Sequence, residues 1–172
     1  MARNGGAIVN NGILSISGET RIQYNLANVA TKIAGDRYGY GGAIFQEEVE
    51  TAKFAITKSI LSYNKSQIYG GAIAALSGSV QFDASQSGDE TQISNNMSSS
   101  ATAIYSCSMI KVVGLKLSNN NLISGATGNN ISIILAGTGE MMTLDNGKTP
   151  DKAEGNFPAI EINGQVVLVS AP

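Results

Sequence analysis

Gly5-Gly6-Ala7-Ile8, Gly41-Gly42-Ala43-Ile44 and Gly70-Gly71-Ala72-Ile73 are three copies of one tetrapeptide in a chain of 172 residues. Recurrence at about 30 residues marks a repeat architecture, in which one supersecondary unit stacks on the next. Weaker echoes carry the same rhythm onward: Ala101-Thr102-Ala103-Ile104, Gly128-Asn129-Asn130-Ile131 and Phe157-Pro158-Ala159-Ile160. Six units therefore run through the whole chain.

Aligned on their Ala-Ile positions, the units show three short apolar stretches each. They fall at residues 7–10, 13–17 and 20–25, then 43–46, 51–56 and 59–64, then 72–76, 79–83 and 91–96, then 103–106, 109–113 and 115–120. The fifth unit keeps 131–135 and 141–145, and the last keeps 159–162 and 166–170. Within them apolar and polar side chains alternate, as in Leu14/Ile16, Phe54/Ile56, Val80/Phe82, Leu115/Leu117 and Ile160/Ile162. That is the pattern of a strand with one buried face. The gaps, rich in Gly, Asn and Ser, are too short for crossover helices. Three strands joined by corners every ~30 residues describe a coil of a parallel β-helix. The expected fold is all-β, a right-handed parallel β-helix of about six three-strand coils. It forms a single domain over residues 1–172, and six coils at ~4.8 Å each give a rod of roughly 25–30 Å.

A second motif closes the third strand: Ile22-Gln23-Tyr24-Asn25, Leu61-Ser62-Tyr63-Asn64, Ile93-Ser94-Asn95-Asn96 and Leu117-Ser118-Asn119-Asn120. In register, Asn25, Asn64, Asn96 and Asn120 stack at one corner, with Asn146 as a fifth member. Each amide is expected to bond to its neighbour, and asparagine is expected to supply the left-handed backbone of a sharp corner.

Charged residues are only 14% of the chain and the net charge is −2, against about 25% charged in ordinary globular domains. Without a basic run, nucleic acid is not an expected partner. The single Cys107, between Ser106 and Ser108, sits at a strand-to-strand corner and reads as an unreactive small residue. No apolar run reaches the ~18 residues of a transmembrane helix. The repeats run to both ends without a polar capping unit, which reads as a segment of a longer protein.

Gly-Gly-Ala-Ile alternating with apolar-x-x-Asn resembles the passenger region of the polymorphic membrane proteins, chlamydial autotransporter adhesins whose paired signatures are GGA[ILV] and FxxN. The run Leu135-Ala136-Gly137-Thr138-Gly139 leading to Met142-Thr143-Leu144-Asp145 is similar to that family's "LSAxxGxITF" stretch. The segment from Pro158 through Ile162 and on to Val169 is similar to the coil that follows it. The sequence departs from the pattern at Ile22, Leu61, Ile93 and Leu117, which stand where the family has phenylalanine, and units four to six lack the double glycine. The resemblance implies a bacterial cell-surface passenger held at the outer membrane by a C-terminal barrel that this sequence does not include. It also implies adhesion to a host-cell receptor, protein or glycan, and homo- or hetero-oligomerisation.

The adhesion motifs name one set of candidate binding residues: Gly5, Gly6, Ala7, Ile8, Asn25, Gly41, Gly42, Ala43, Ile44, Asn64, Gly70, Gly71, Ala72, Ile73, Asn96 and Asn120. The same residues also read as scaffold, since glycine pairs permit tight corners and stacked asparagines satisfy them. The irregular segments after each asparagine (26–40, 65–69, 97–100, 121–127 and 147–156) offer a second set. The first holds Lys32, Arg37, Tyr38 and Tyr40, cationic and aromatic types enriched at binding hot spots, although the tyrosines also read as packing the loop down. The Glu47-Glu48-Val49-Glu50 run reads as a solvated corner. An enzyme on this scaffold would need converging acids or a cation site. There is no histidine, and the alignment puts Asp83 and Asp145 on different faces. No catalytic residue, metal or cofactor is expected. The expected function is a non-catalytic adhesin module, with a structural spacer or filament-forming solenoid as the alternative.

Overall fold

The computed structural model describes residues 2–28, 38–84, 86, 88–112, 114–126, 131–136, 142–144, 159–162 and 165–168. These residues form strands and turns only, and the strands stack in parallel into a β-helix. The first coil comprises β1 (Ile8–Asn10), β2 (Ile13–Ile16), β3 (Arg21–Gln23) and β4 (Leu26–Ala27). The second comprises β5 (Ile44–Gln46), β6 (Lys53–Ile56), β7 (Ile60–Ser62) and β8 (Lys65–Ser66). The third is β9 (Ile73–Ala75), β10 (Ser79–Phe82), β11 (Thr91–Ser94) and β12 (Met97–Ser98). The fourth is β13 (Ile104–Ser106), β14 (Met109–Val112), β15 (Leu115–Ser118) and β16 (Asn121–Leu122). Beyond it come β17 (Ile131–Leu135), β18 (Met142–Leu144), β19 (Ala159–Ile162) and β20 (Gln165–Leu168).

The expected three strands per coil are present, and each of these four coils adds a fourth strand of two residues after the asparagine. Four sheets result, one for each strand position. The last unit differs more. β19 joins β17 in parallel, but β20 turns back and pairs antiparallel with β19, Ala159 opposite Leu168. β19 and β20 are therefore paired antiparallel where a second strand of a sixth coil was expected.

Parallel register puts equivalent side chains in ranks up the rod. Ile44, Ile73, Ile104 and Ile133 stack in one rank of the first sheet, all fully buried. In the second sheet Leu14, Phe54, Val80 and Ile110 form one inward rank and Ile16, Ile56, Phe82 and Val112 the other. The two phenylalanines sit in different ranks and different coils, so each bulky ring has aliphatic groups above and below it. That arrangement keeps the cross-section of the interior constant, as close packing requires. Ile22, Leu61, Ile93 and Leu117 complete the core from the third sheet.

The first residue of the glycine motif is left-handed, with φ of 58° at Gly5, 63° at Gly41 and 67° at Gly70. Ala101 occupies the same place in the fourth coil and is also left-handed, at φ 52°. An L-residue there is strained by about 1–2 kcal/mol, while glycine loses roughly 0.5–1 kcal/mol more backbone entropy on folding. Ala101→Gly is therefore expected to raise stability by about 0.5–1 kcal/mol, read as an increased urea midpoint. A lower midpoint would show that the fourth coil has relaxed around the methyl group.

Candidate functional site

The two sequence motifs meet in space. A β-carbon built on Gly6 would lie 2.7 Å from the Leu26 nitrogen and 2.9 Å from Asn25 Cβ, both in the same coil. On Gly71 it would lie 2.9 Å from the Met97 nitrogen and 3.1 Å from Asn96 Cβ. The same added carbon would also run into a carbonyl oxygen of the next coil: that of Gly42 at Gly6, of Gly71 at Gly42 and of Thr102 at Gly71. Each coil thus begins and ends at one seam, where the asparagine corner presses against the glycine. The seam backbone is bonded from coil to coil, for example Gly41 N–H to Tyr69 O at 2.9 Å and Gly42 N–H to Gly70 O at 3.0 Å.

Behind the seam runs the asparagine ladder. The Asn25, Asn64 and Asn96 side-chain amides donate to Oδ1 of Asn64, Asn96 and Asn120 at 2.9, 3.0 and 2.9 Å. The backbone N–H of each lower asparagine donates to the same oxygen. Each upper amide also reaches down, Asn64 to Ile22 O, Asn96 to Leu61 O and Asn120 to Ile93 O, at 2.9, 3.0 and 2.9 Å. This downward bond accounts for the apolar-x-x-Asn spacing, because the apolar residue supplies the accepting carbonyl while its side chain fills the core. The left-handed residue is not the asparagine, as the sequence suggested, but the one before it. Tyr24, Tyr63, Asn95 and Asn119 have φ of 58°, 57°, 56° and 52°, and that turn aims the following asparagine inward.

A second polar corner escaped the sequence reading. Asn10 donates to Gln46 Oε1 at 3.0 Å, Gln46 donates to Ser77 O, and Ser106 donates to Ser108 O at 2.9 Å. These buried groups stand at a common offset from the glycine motif, a signal available in the sequence.

Gly41, Gly42, Ala43, Ile44, Gly70, Gly71, Ala72, Ile73, Asn64, Asn96 and Asn120 are buried, as is Gly5. Gly6, Ile8 and Asn25 are half-buried, and Ala7 is exposed in the first coil. Most of the segments expected to be irregular begin as the fourth strands β4, β8, β12 and β16. Lys32 and Arg37 lie outside the described residues, as do Asn146 and residues 147–156. Tyr38 is half-buried. Glu47 to Glu50 form a tight corner between β5 and β6, with Glu48 and Glu50 exposed.

Tyr40 packs back onto the rod. Its ring lies 5.2 Å from Tyr69, which stacks on Tyr105 at 4.4 Å, and Tyr105 continues the outward rank of Phe45 and Ala74. Phe45 and Ala74 are buried although they point away from the core. Cys107, at the corner between β13 and β14, places its Sγ 3.5 Å from the Tyr105 hydroxyl. Burial, then the thiol hydrogen bond, pushes the Tyr105 hydroxyl well above its ordinary value of 10.0. A raised acid pKa means the folded state resists losing that proton. Its contribution is complete below pH about 10 and is lost as the pH rises beyond it. Tyr105→Phe is expected to flatten the alkaline fall in stability, followed as Tm between pH 8 and 11. An unchanged slope would assign that fall to other groups.

Tyr24 and Tyr63 form a second aromatic pair, parallel within 7° at 5.1 Å, and remain 75% and 50% exposed. At the corner between the second and third strands, Lys58 pairs with Glu19 at 3.4 Å and Asp89 at 3.9 Å, and Lys116 with Glu90 at 3.7 Å. A backbone N–H, then Lys116, holds the Glu90 carboxyl below its ordinary range. Asp83 is exposed just after β10, whose sheet also holds β18. The expectation that Asp83 and Asp145 lie on different faces rests on Asp145, which lies outside the described residues. No family model, no curated protein and no solved structure matches this chain.

Proposed function

We propose that this chain is a non-catalytic segment of a bacterial cell-surface adhesin, a β-helical rod that presents its outer surface to a host-cell receptor and to other copies of itself. The resemblance of its motifs to the autotransporter passengers supports this reading. The observation that carries it is a division of labour. The motif residues are consumed in closing and stacking coils, while Val9, Ile13, Tyr24, Tyr63 and Met109 stay exposed on a scaffold that already has a complete core. Of these, Tyr24 and Tyr63 stack into one exposed aromatic patch, contiguous apolar surface of the kind that marks contact sites, and a regular β scaffold holds it in place.

The test is saturable binding of fluorescent purified protein to epithelial cells, competed by unlabelled protein. A variant with residues 29–37 exchanged for a short Gly/Ser turn then reports whether Lys32 and Arg37 contribute. Regular end-to-end fibres without cell binding would favour the spacer reading. Turnover of an acidic polysaccharide would overturn the non-catalytic one.

A further inference from the structure

Tyr24 and Tyr63 stand out from the corner they occupy. Coils three and four fill the same left-handed position with Asn95 and Asn119. Asparagine tolerates that conformation because its short polar side chain bonds locally, whereas a bulky aromatic there is a genuine outlier. The first two coils accept this strain twice, and the rings add nothing to the core. Strain held at exposed side chains points to a contact made by those side chains.

The strands around them carry only positive charge, and the nearby acids Glu19, Asp89 and Glu90 at the preceding corner are paired with Lys58 and Lys116. The described strands of the third and fourth sheets carry Arg21, Lys65 and Lys116 and no acidic residue, although the chain as a whole has 13 acids and 11 bases. Lys116 is paired with Glu90. Arg21 and Lys65, both exposed, flank the tyrosine corner from its two sides. Arg21 lies three residues before Tyr24, about 10 Å along the strand, and Lys65 two residues after Tyr63, about 7 Å. Between them, Gln23 donates to Ser62 Oγ at 2.6 Å. That bond fixes the Gln23 carboxamide and leaves its carbonyl oxygen free to accept from a ligand hydroxyl.

We propose that this corner binds an acidic glycan, with a carboxylated or sulfated sugar ring seated on the Tyr24–Tyr63 pair and its anionic group on Arg21 or Lys65. The proposal rests on the adhesin reading above and names the ligand class. A pyranose offers a patch of weakly positive C–H groups to the negative face of an aromatic ring, while its hydroxyls need the amide and hydroxyl groups found alongside. A protein partner would call instead for a desolvated pocket around the anchor, and the outward neighbours here are mostly polar: Arg21, Gln23 and Ser62, with the half-buried Ile60 beside Arg21. One sugar unit also spans roughly the ~4.8 Å between successive coils, so an extended oligosaccharide can run along the rod.

The decisive variant is Tyr24→Asn with Tyr63→Asn, which installs the residue that coils three and four already use and so is expected to keep or raise Tm. Binding of the purified 172-residue chain is measured by titration with a sulfated glycosaminoglycan oligosaccharide, a sialylated oligosaccharide and a neutral one. The wild type is expected to bind one or both acidic sugars and to weaken with salt. The tyrosine variant is expected to lose about tenfold or more in Kd, and Arg21→Gln with Lys65→Gln to weaken binding and flatten its salt dependence. The sulfated and sialylated arms tell which anion is recognised. Equal binding by the asparagine variant, or a wild type that binds only neutral sugars or none, overturns the proposal. Cell binding separates the two readings. Adhesion abolished by protease treatment of the cells but untouched by heparinase and sialidase leaves the adhesin standing and removes the glycan. Sugar binding without adhesion does the reverse.

Discussion

Gly42→Ala is expected to destabilise the rod by about 3 kcal/mol or more, a large effect for one methyl group. The new β-carbon would meet the Gly71 carbonyl oxygen of the next coil and the Lys65 backbone of its own, 2.7 Å from both N and C. None of these atoms can rotate away. Relief requires the second and third coils to part at the seam, which stretches the Gly42 N–H to Gly70 O bond and its neighbours. Because Gly42 does not have a left-handed φ, the effect is one of space and not of backbone preference. Gly12→Ala is the internal control, with nothing within 4 Å of the added carbon. It should be neutral or stabilising by a few tenths of a kcal/mol. Urea midpoints of the two variants measure the contrast. A loss below about 1 kcal/mol at Gly42 would show that the seam can open without disturbing the ladder behind it.

The sequence was most legible where a residue type is demanded by a local clash or a local bond. The glycine seam and the asparagine ladder are such demands, and they give the period, the coil boundaries and three of the four strands. The fourth strand was not legible. Leu26–Ala27, Lys65–Ser66, Met97–Ser98 and Asn121–Leu122 are two residues long, too short for alternation to register, and their neighbours in adjacent coils define them. Strand direction was equally hidden at the end of the chain, because the apolar run Val166-Val167-Leu168 reads as a strand whether it pairs parallel or antiparallel.

The left-handed corner was misplaced by one residue for an instructive reason. Asparagine is the usual occupant of that conformation, so the recurring Asn of the first four units attracted the assignment. Its side chain is instead committed to the ladder, and the turn falls on the residue before it. The Asn95-Asn96 and Asn119-Asn120 pairs held the clue, since two adjacent asparagines need two different reasons. Tyr24 and Tyr63 then become visible as departures at a position whose preferred occupant is known. The Tyr40–Tyr69 contact was readable from the shared pentapeptide Tyr-Gly-Gly-Ala-Ile, whereas Tyr105 joins that cluster from another strand and left no local trace.

Asn64→Ala is expected to be as severe as the seam variant, at about 3–5 kcal/mol. Asn64 is fully buried. Its amide donates to Asn96 Oδ1 and Ile22 O, and its Oδ1 accepts from the Asn25 N–H and the Asn25 amide. Truncation takes a partner from the Ile22 carbonyl and from Asn96 Oδ1, both at buried bonds, and from the part-buried Asn25 N–H and amide, a lost partner at a buried group costing about 1–3 kcal/mol. Asn64→Asp keeps the acceptor but points a carboxylate at two oxygens. The folded state must then hold that acid protonated, so its pKa rises above the unfolded value of about 3.9. The variant should gain stability as the pH falls toward 4 and lose it as the pH rises above, opposite to the usual behaviour of a salt-bridged aspartate. Asn25→Ala, at the half-buried foot of the ladder, should cost only about 1 kcal/mol. Equal losses at Asn25 and Asn64 would mean that burial does not set the energy of the ladder. The comparison also bears on adhesion. A ladder variant that stops binding cells will do so in step with its loss of structure, and hydrogen exchange at β3, β7 and β11 will report that loss directly. The asparagine variants of Tyr24 and Tyr63 should stop binding while exchange stays slow, so the two measurements together separate residues that build the rod from residues that touch its partner.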